Sequence, residues 1–243
     1  MVMPEGDGRE RWGKMAIVMY DLVGRDDRRF SPHCWRTRMA LAHKGLEHEA
    51  RPTRFTEIPK IEGGQVKTVP ALRDGDRLIV DSWAIAQYLE HAYPERPYLF
   101  GGVGGEQVTR FVQRWCVAML HSELVRVIVA DIWLHLTPQD QDYFRSSRDK
   151  RFGRTLEEVQ AGREERMEGF RNSLQPLRMT LKDAPFLGGQ QPLYADYLAF
   201  GAFQWARVIS PFRILGEDDP LKAWFEGCLD LHGGIGRSAP GYD

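Results

Sequence analysis

The sequence predicts two domains of different class, an α/β layer followed by an all-helical half. Three observations carry this expectation. Short β-prone runs alternate with helix starts as far as Tyr93. A stretch rich in proline and glycine follows, with Pro94-Glu95-Arg96-Pro97 and Gly101-Gly102-Val103-Gly104-Gly105. Beyond it helical periodicity recurs and no convincing strand does. At 243 residues the chain accommodates one large domain or two small ones. The expected divisions are an N-terminal disordered extension at 1–14, an α/β domain at 15–93, a linker at 94–105 and a helical domain at 106–243.

Residues 16–20 form an apolar run expected to be a buried strand. Residues 21–30 are charged and contain glycine, which reads as a loop. Ser31-Pro32 marks a helix start, with serine at the N-cap and proline where its missing N–H costs nothing. Trp35, Met39 and Ala42 keep helical spacing, and Gly45 closes this helix after Lys44 in its last turn. Residues 48–51 read as a second strand on a weak pattern, and 55–61 as a short irregular helix. Residues 70–73, 74–76 and 77–80 read as strand, turn and strand. A helix at 82–93 follows, with Ala84, Ile85, Tyr88 and Leu89 on its buried face. Strand, crossover helix and strand, then a hairpin and a closing helix, are the elements of a thioredoxin-like layer. The linker glycines lack the preceding strand and following lysine of a phosphate loop. Residues 106–130, 156–181, 194–209 and 220–231 carry the helical pattern of the second half.

Composition narrows the function. Apolar residues make up 42% of the chain and there are seven tryptophans, enough for a sizeable core or an aromatic pocket. A formal net charge of −1 argues against electrostatic binding of nucleic acid or of an anionic membrane. The basic clusters Arg36-Thr37-Arg38 and 145–154 read as solvated helix faces. No apolar run approaches the roughly 18 residues a membrane span needs. Residues 1–14 are polar and have no secretory hydrophobic core. The three cysteines, Cys34, Cys116 and Cys228, are odd in number and far apart, which suits a reducing cytoplasm better than a disulfide framework.

Three short motifs carry candidate chemistry. Ser31 stands at a helix N-terminus, where free N–H groups and the helix dipole stabilise a nearby anion such as a thiolate. The plainer reading is an N-cap alone. Val69-Pro70 opens a strand. In the cis form Val69 would turn its N–H and C=O outward to pair with an added peptide, whereas a trans bond would simply start the strand. Asp81-Ser82 offers a carboxylate for an ammonium group, and a hydroxyl with free N–H groups for a carboxylate. It also reads as a plain capping pair. His33 is taken as exposed or packing rather than facing a pocket, and Cys34 as a packed helix residue. His121, Glu123, Asp131 and His135 give only one i,i+4 pair, Asp131 with His135, and read as a satisfied helix surface, not as a metal site. Of Trp115, Trp133, Phe200, Phe203 and Trp205, most are expected in the core and one or two along an apolar acceptor site.

Together, Ser31-Pro32 with Trp35-Arg36-Thr37-Arg38, Val69-Pro70, Asp81-Ser82 with Ala84-Ile85 and Tyr88-Leu89, and Gly188-Gly189 leading to Ala195-Asp196 resemble the cytosolic glutathione transferase family. Tyr20-Asp21-Leu22, His43-Lys44-Gly45, Asp81-Ser82-Trp83, Pro138-Gln139-Asp140, residues 155–163 and Asp218-Asp219-Pro220-Leu221 resemble, more narrowly, the bacterial lignin β-aryl-ether-cleaving transferases and their fungal etherase-related relatives. The resemblance implies a thioredoxin-like domain that binds glutathione as co-substrate, a helical domain that shapes an acceptor pocket, and a homodimer. It implies Ser31 as the thiol-activating residue, Val69 as partner of the cysteinyl unit, and Asp81 with Ser82 at the γ-glutamyl end. Lys67 is assigned to the glycyl carboxylate. Leu193 departs from the Ser or Thr that family members often carry three residues before the helix aspartate. Asp196 then caps without the reciprocal bond, at a cost of about 1 kcal/mol. The expected activity is attack of the thiolate on a hydrophobic, aromatic electrophile, with cleavage of a β-aryl ether in the narrower subclass. The alternative is a glutathione-dependent binding protein that sequesters aromatic compounds. A glutathione-dependent isomerase or dehalogenase is a third reading.

Overall fold

The computed structural model describes residues 17–242. The extension expected at 1–14 therefore lies outside the described residues. The first layer is β1 (Ile17–Leu22), α1 (Pro32–His43), β2 (His48–Thr53), β3 (Ala71–Asp74), β4 (Arg77–Val80) and α2 (Ser82–Ala92). A 3-10 segment, Phe55–Gly64, joins β2 to β3. The four-stranded sheet has the order β2-β1-β3-β4. β1 pairs with β2 in parallel, from Ile17 against His48 to Leu22 against Thr53. The β1–β3 and β3–β4 pairs are antiparallel. Between the paired Asp74 and Arg77 the hairpin needs only two residues, and Gly75 supplies the left-handed φ of 56°. This is the expected thioredoxin-like arrangement with a mixed sheet.

β1 runs further than its apolar pattern suggested. Asp21 and Leu22 belong to the strand and not to a loop, because pairing with Pro52 and Thr53 carries the ladder onward. Asp21 is fully buried, with Arg29 against its carboxylate at 3.0 Å.

The second half is helical: α3 (Gly105–Trp115), α4 (Ser122–Leu134), α5 (Pro138–Phe152), α6 (Leu156–Gln160), α7 (Arg163–Ser173), α8 (Gln175–Thr180), α9 (Tyr194–Ile209) and α10 (Leu221–Gly234). The helix expected at 106–130 is interrupted by a π turn over Cys116–His121. The one expected at 156–181 is three helices, broken at Gly162, whose φ is 66°, and again before Pro176. α5 went unanticipated. It is so polar that only Asp140 and Phe144 are buried, which leaves little apolar periodicity to detect.

α9 is the central pillar, buried along almost its whole length. It packs against α1, and that contact joins the two halves. Gly201 permits it: a Cβ there would lie 2.5 Å from the Pro32 carbonyl oxygen and 3.3 Å from Arg36 Cγ. The close approach corrects the reading of Arg36-Thr37-Arg38 as a solvated face. Arg36 and Thr37 are wholly buried, and only Arg38 is half-buried. In the second basic cluster Arg145 pairs with Glu157, but Arg148 lies 4.6 Å from the Phe144 ring centroid, so that face too is only partly solvated.

Candidate active site

Ser31 sits between β1 and α1, at the N-cap of the helix. Its backbone is extended, and its Oγ accepts the Cys34 N–H at 3.3 Å, with Pro32 opening the first turn. The cap uses a lone pair of the hydroxyl, and the hydroxyl hydrogen is left to donate elsewhere. Cys34 is buried, and its Sγ accepts the Leu22 N–H at 3.5 Å. Burial, reinforced by Asp21, holds the Cys34 thiol well above its ordinary range. The packed role expected of Cys34 agrees with this geometry.

The Val69–Pro70 bond is cis. Among the described residues, neither the N–H nor the C=O of Val69 joins a turn or loop backbone hydrogen bond. Lys67 is exposed two residues earlier, with Nζ donating to the Gly64 carbonyl at 3.3 Å. Asp81 caps α2, its Oδ1 accepting from Trp83 N at 2.9 Å and Ala84 N at 3.2 Å. Its φ is 86°, an uncommon and strained value for a residue with a side chain. Its own N–H donates to the Pro70 carbonyl at 3.2 Å, which ties the start of α2 to the Val69-Pro70 turn. Ser82 is buried, and its carbonyl accepts the Tyr194 hydroxyl at 2.8 Å.

A cavity of about 650 Å³ opens beside Ser31. Ser31, Lys67, Thr68 and Val69 line one side. Phe55, Val125, Tyr143, Phe144 and Trp205 give the other an aromatic and aliphatic wall. The structure thus brings Ser31, Lys67 and Val69 to one space. Asp81 and Ser82 stand outside its lining, at the adjoining helix start. Trp205 meets the expectation that a helical-half aromatic lines the pocket, while Phe200 and Phe203 are core.

His33 also lines the cavity, which corrects its assignment as exposed or packing. The reason is the buried Arg36 one turn on, whose Nη1 donates to His33 Nδ1 at 3.2 Å. Arg36 Nη2 donates to His121 Nε2 at 2.7 Å, and His121 lines the cavity as well. Burial is the main cause pushing His33 down to about 3 and His121 well below its ordinary value, with Arg36 adding to both. The His33–Arg36 spacing of three residues places both on one helix face and was legible in the sequence. The partnership with His121, across 85 positions, was not. Asp131 and His135 are satisfied by protein partners, as expected of them. Asp131 takes Arg163 at 2.8 Å and Ser210 at 2.5 Å, and His135 Nε2 lies 2.9 Å from the Ile209 carbonyl.

The chain matches two family models, described as Glutathione S-transferase, N-terminal domain, over residues 27–97 and Glutathione S-transferase, C-terminal domain, over residues 108–230. It is 45% identical over 69 residues to Glutathione S-transferase Z1 of Arabidopsis thaliana, a match that spans 31% of that relative's length and 26% of this chain. Glutathione transferase GSTFuA3 from Phanerochaete chrysosporium superposes with a TM-score of 0.72 at 26% identity, covering 91% of this chain and 93% of that one. The glutathione S-transferase CsGST63524 of Ceriporiopsis subvermispora, solved in complex with glutathione, gives 0.73 at 22% identity, covering 91% and 94%.

Proposed function

The chain belongs to the glutathione S-transferase family, and we propose that it is a transferase in which Ser31 holds the glutathione thiolate for attack on a hydrophobic, aromatic electrophile. The observation that carries this reading is the continuity of the cavity, from Ser31 and Val69 on one side to Phe55, Tyr143, Phe144 and Trp205 on the other. A nucleophile and an apolar acceptor held in one such space would react without paying again for encounter.

In this reading the Ser31 hydroxyl donates to the sulfur, and the α1 N-terminus favours the anion. The Val69 N–H and C=O pair with the cysteinyl unit, Asp81 and Ser82 take the γ-glutamyl end, and Lys67 takes the glycyl carboxylate. Asp81 suits its role because only Oδ1 is occupied by the α2 cap. For a β-aryl ether, sulfur forms a bond to the carbon beside a ketone. The carbon–oxygen bond breaks, and its electron pair leaves on the aryloxide. No metal takes part. The enzyme works as a homodimer in a reducing cytoplasm, a setting favoured by three buried free cysteines. Among the described residues no helix is long and apolar enough to cross a membrane.

The test is product analysis by mass spectrometry after incubating glutathione with a phenacyl aryl ether and, separately, with an aryl halide. A glutathione thioether with an equimolar phenol supports ether cleavage. Conjugation of the halide alone supports a transferase without that specialisation. Stoichiometric binding of phenolics with no thioether from either substrate would favour the sequestering protein.

A further inference from the structure

Arg36 is wholly buried, yet among the described residues no carboxylate lies within ion-pair distance of it. Its polar contacts are His33 Nδ1 at 3.2 Å, His121 Nε2 at 2.7 Å and the Leu198 carbonyl at 3.4 Å, and its Nε has no partner. A guanidinium only donates hydrogen bonds. The two imidazole nitrogens that face it must therefore be acceptors, without protons. Each ring is then neutral and carries its hydrogen on the other nitrogen, Nε2 in His33 and Nδ1 in His121. Among the described residues neither of those nitrogens has a hydrogen-bond partner. Both rings line the cavity, with centroids 5.1 Å apart, and His121 stands 6.0 Å from the Trp205 ring.

We propose that His33 and His121, fixed as neutral imidazoles by the buried Arg36, present a pair of N–H donors to an acceptor oxygen that gains negative charge. This rests on the transferase reading of the cavity and names its substrate class: electrophiles whose carbonyl or leaving group is an oxygen. As sulfur bonds to carbon, the electron pair of the breaking carbon–oxygen bond moves to that oxygen, which leaves as an aryloxide held by the two donors. The imidazoles keep their protons, and solvent later protonates the aryloxide. Fixed donors that need no reorganisation are the usual means of stabilising such charge, and the buried guanidinium behind them adds to the effect. Arg36 is a positioning residue in this scheme, because it touches the histidines and not the acceptor.

The probe is 4-nitrophenol, which ionises near neutral pH and reports its ionisation by absorbance. Titrated in the glutathione-loaded wild type, the bound phenol should ionise at lower pH by about one unit or more, a tenfold preference for phenolate. His121→Phe, which removes one of the two donors, should reduce the shift. An unshifted or unbound phenol in wild type, or a shift undiminished by His121→Phe, overturns the proposal. Nitrogen-15 NMR of the wild-type histidines needs no variant. The proposal requires neutral rings at pH 6 with protons on His33 Nε2 and His121 Nδ1, and imidazolium or the opposite tautomers would contradict it. Calorimetry of glutathione binding on the same samples keeps the two readings apart. Normal glutathione binding with an unshifted phenol removes only the donor pair, whereas no glutathione binding in wild type removes the transferase reading on which the donor pair rests.

Discussion

The Oγ of Ser31 accepts the amide N–H of Cys34 at 3.3 Å, so the capping role of Ser31 occupies a lone pair and not its hydroxyl hydrogen. Capping and thiolate stabilisation are therefore compatible in one side chain and separable by substitution. Ser31→Asp keeps an acceptor for the cap but has no hydroxyl to donate and adds a like charge beside the sulfur. It should fold to within about 1 kcal/mol of wild type, yet lose about 100-fold in conjugation rate, on the scale of removing one donor from a charge-stabilising site. Ser31→Ala should lose both functions. Thermal melts and rates with one aryl halide across the two variants check this.

Asp196 is buried and receives N–H groups from Leu187 at 2.7 Å, Gly188 and Leu193 at 3.0 Å each, and the Trp224 indole at 3.0 Å. The missing Ser or Thr at Leu193 costs α9 little, because the aspartate ties the preceding loop and α10 to the same helix start. Asp196→Ala would strand those donors in the interior, at about 1–3 kcal/mol for each one left unpaired. A loss of 3 kcal/mol or more in urea unfolding is expected. A loss near 1 kcal/mol would mean that Asp196 is only an ordinary cap.

Lys44, fully buried at the end of α1, pairs with Glu90 of α2 at 2.7 Å. The same carboxylate accepts the Leu99 N–H at 2.9 Å and the Phe100 N–H at 3.2 Å. Glu90→Ala leaves an uncompensated ammonium inside, which typically costs about 3–5 kcal/mol. Replacing Lys44 and Glu90 together by methionine and leucine should recover part of that loss. Chemical unfolding of the single and double variants measures it.

Much of this was legible in the sequence, and the failures share a cause. β1, the hairpin and α9 were readable because turn chemistry or apolar spacing specified them locally. α5 was missed because its polar surface hides helical period. Arg36 was misread because burial of a charged side chain depends on Gly201, far along the chain, letting α9 approach. Ser31, Lys67 and Val69 are marked by local signals, namely a capping pair and a Val-Pro step. The aromatic wall comes from separated elements, 3-10 segment, α4, α5 and α9, and no single stretch announces it.

Stability should also depend on histidine ionisation. His232 lies against the Tyr197 hydroxyl at 2.9 Å, and burial, with a smaller push from His43, lowers its pKa from 6.5 to about 4. The folded state resists a proton that the unfolded chain accepts. This contribution is complete above about pH 6.5 and is lost as pH falls through about 4. His33 acts in the same sense. His232→Asn, which tolerates the local φ of 52°, should flatten the decline of the melting temperature across that interval. An unchanged slope would assign the decline to other groups.

The central claim is that Ser31 and the α1 terminus together hold a thiolate. Ultraviolet titration of bound glutathione against pH, in wild type and Ser31→Ala, reads that directly. The account predicts a thiol pKa lowered below its free value of about 8.5 in wild type and returned toward it by the substitution. Glutathione that binds with an unlowered thiol pKa, or a lowered pKa that survives Ser31→Ala, would contradict it.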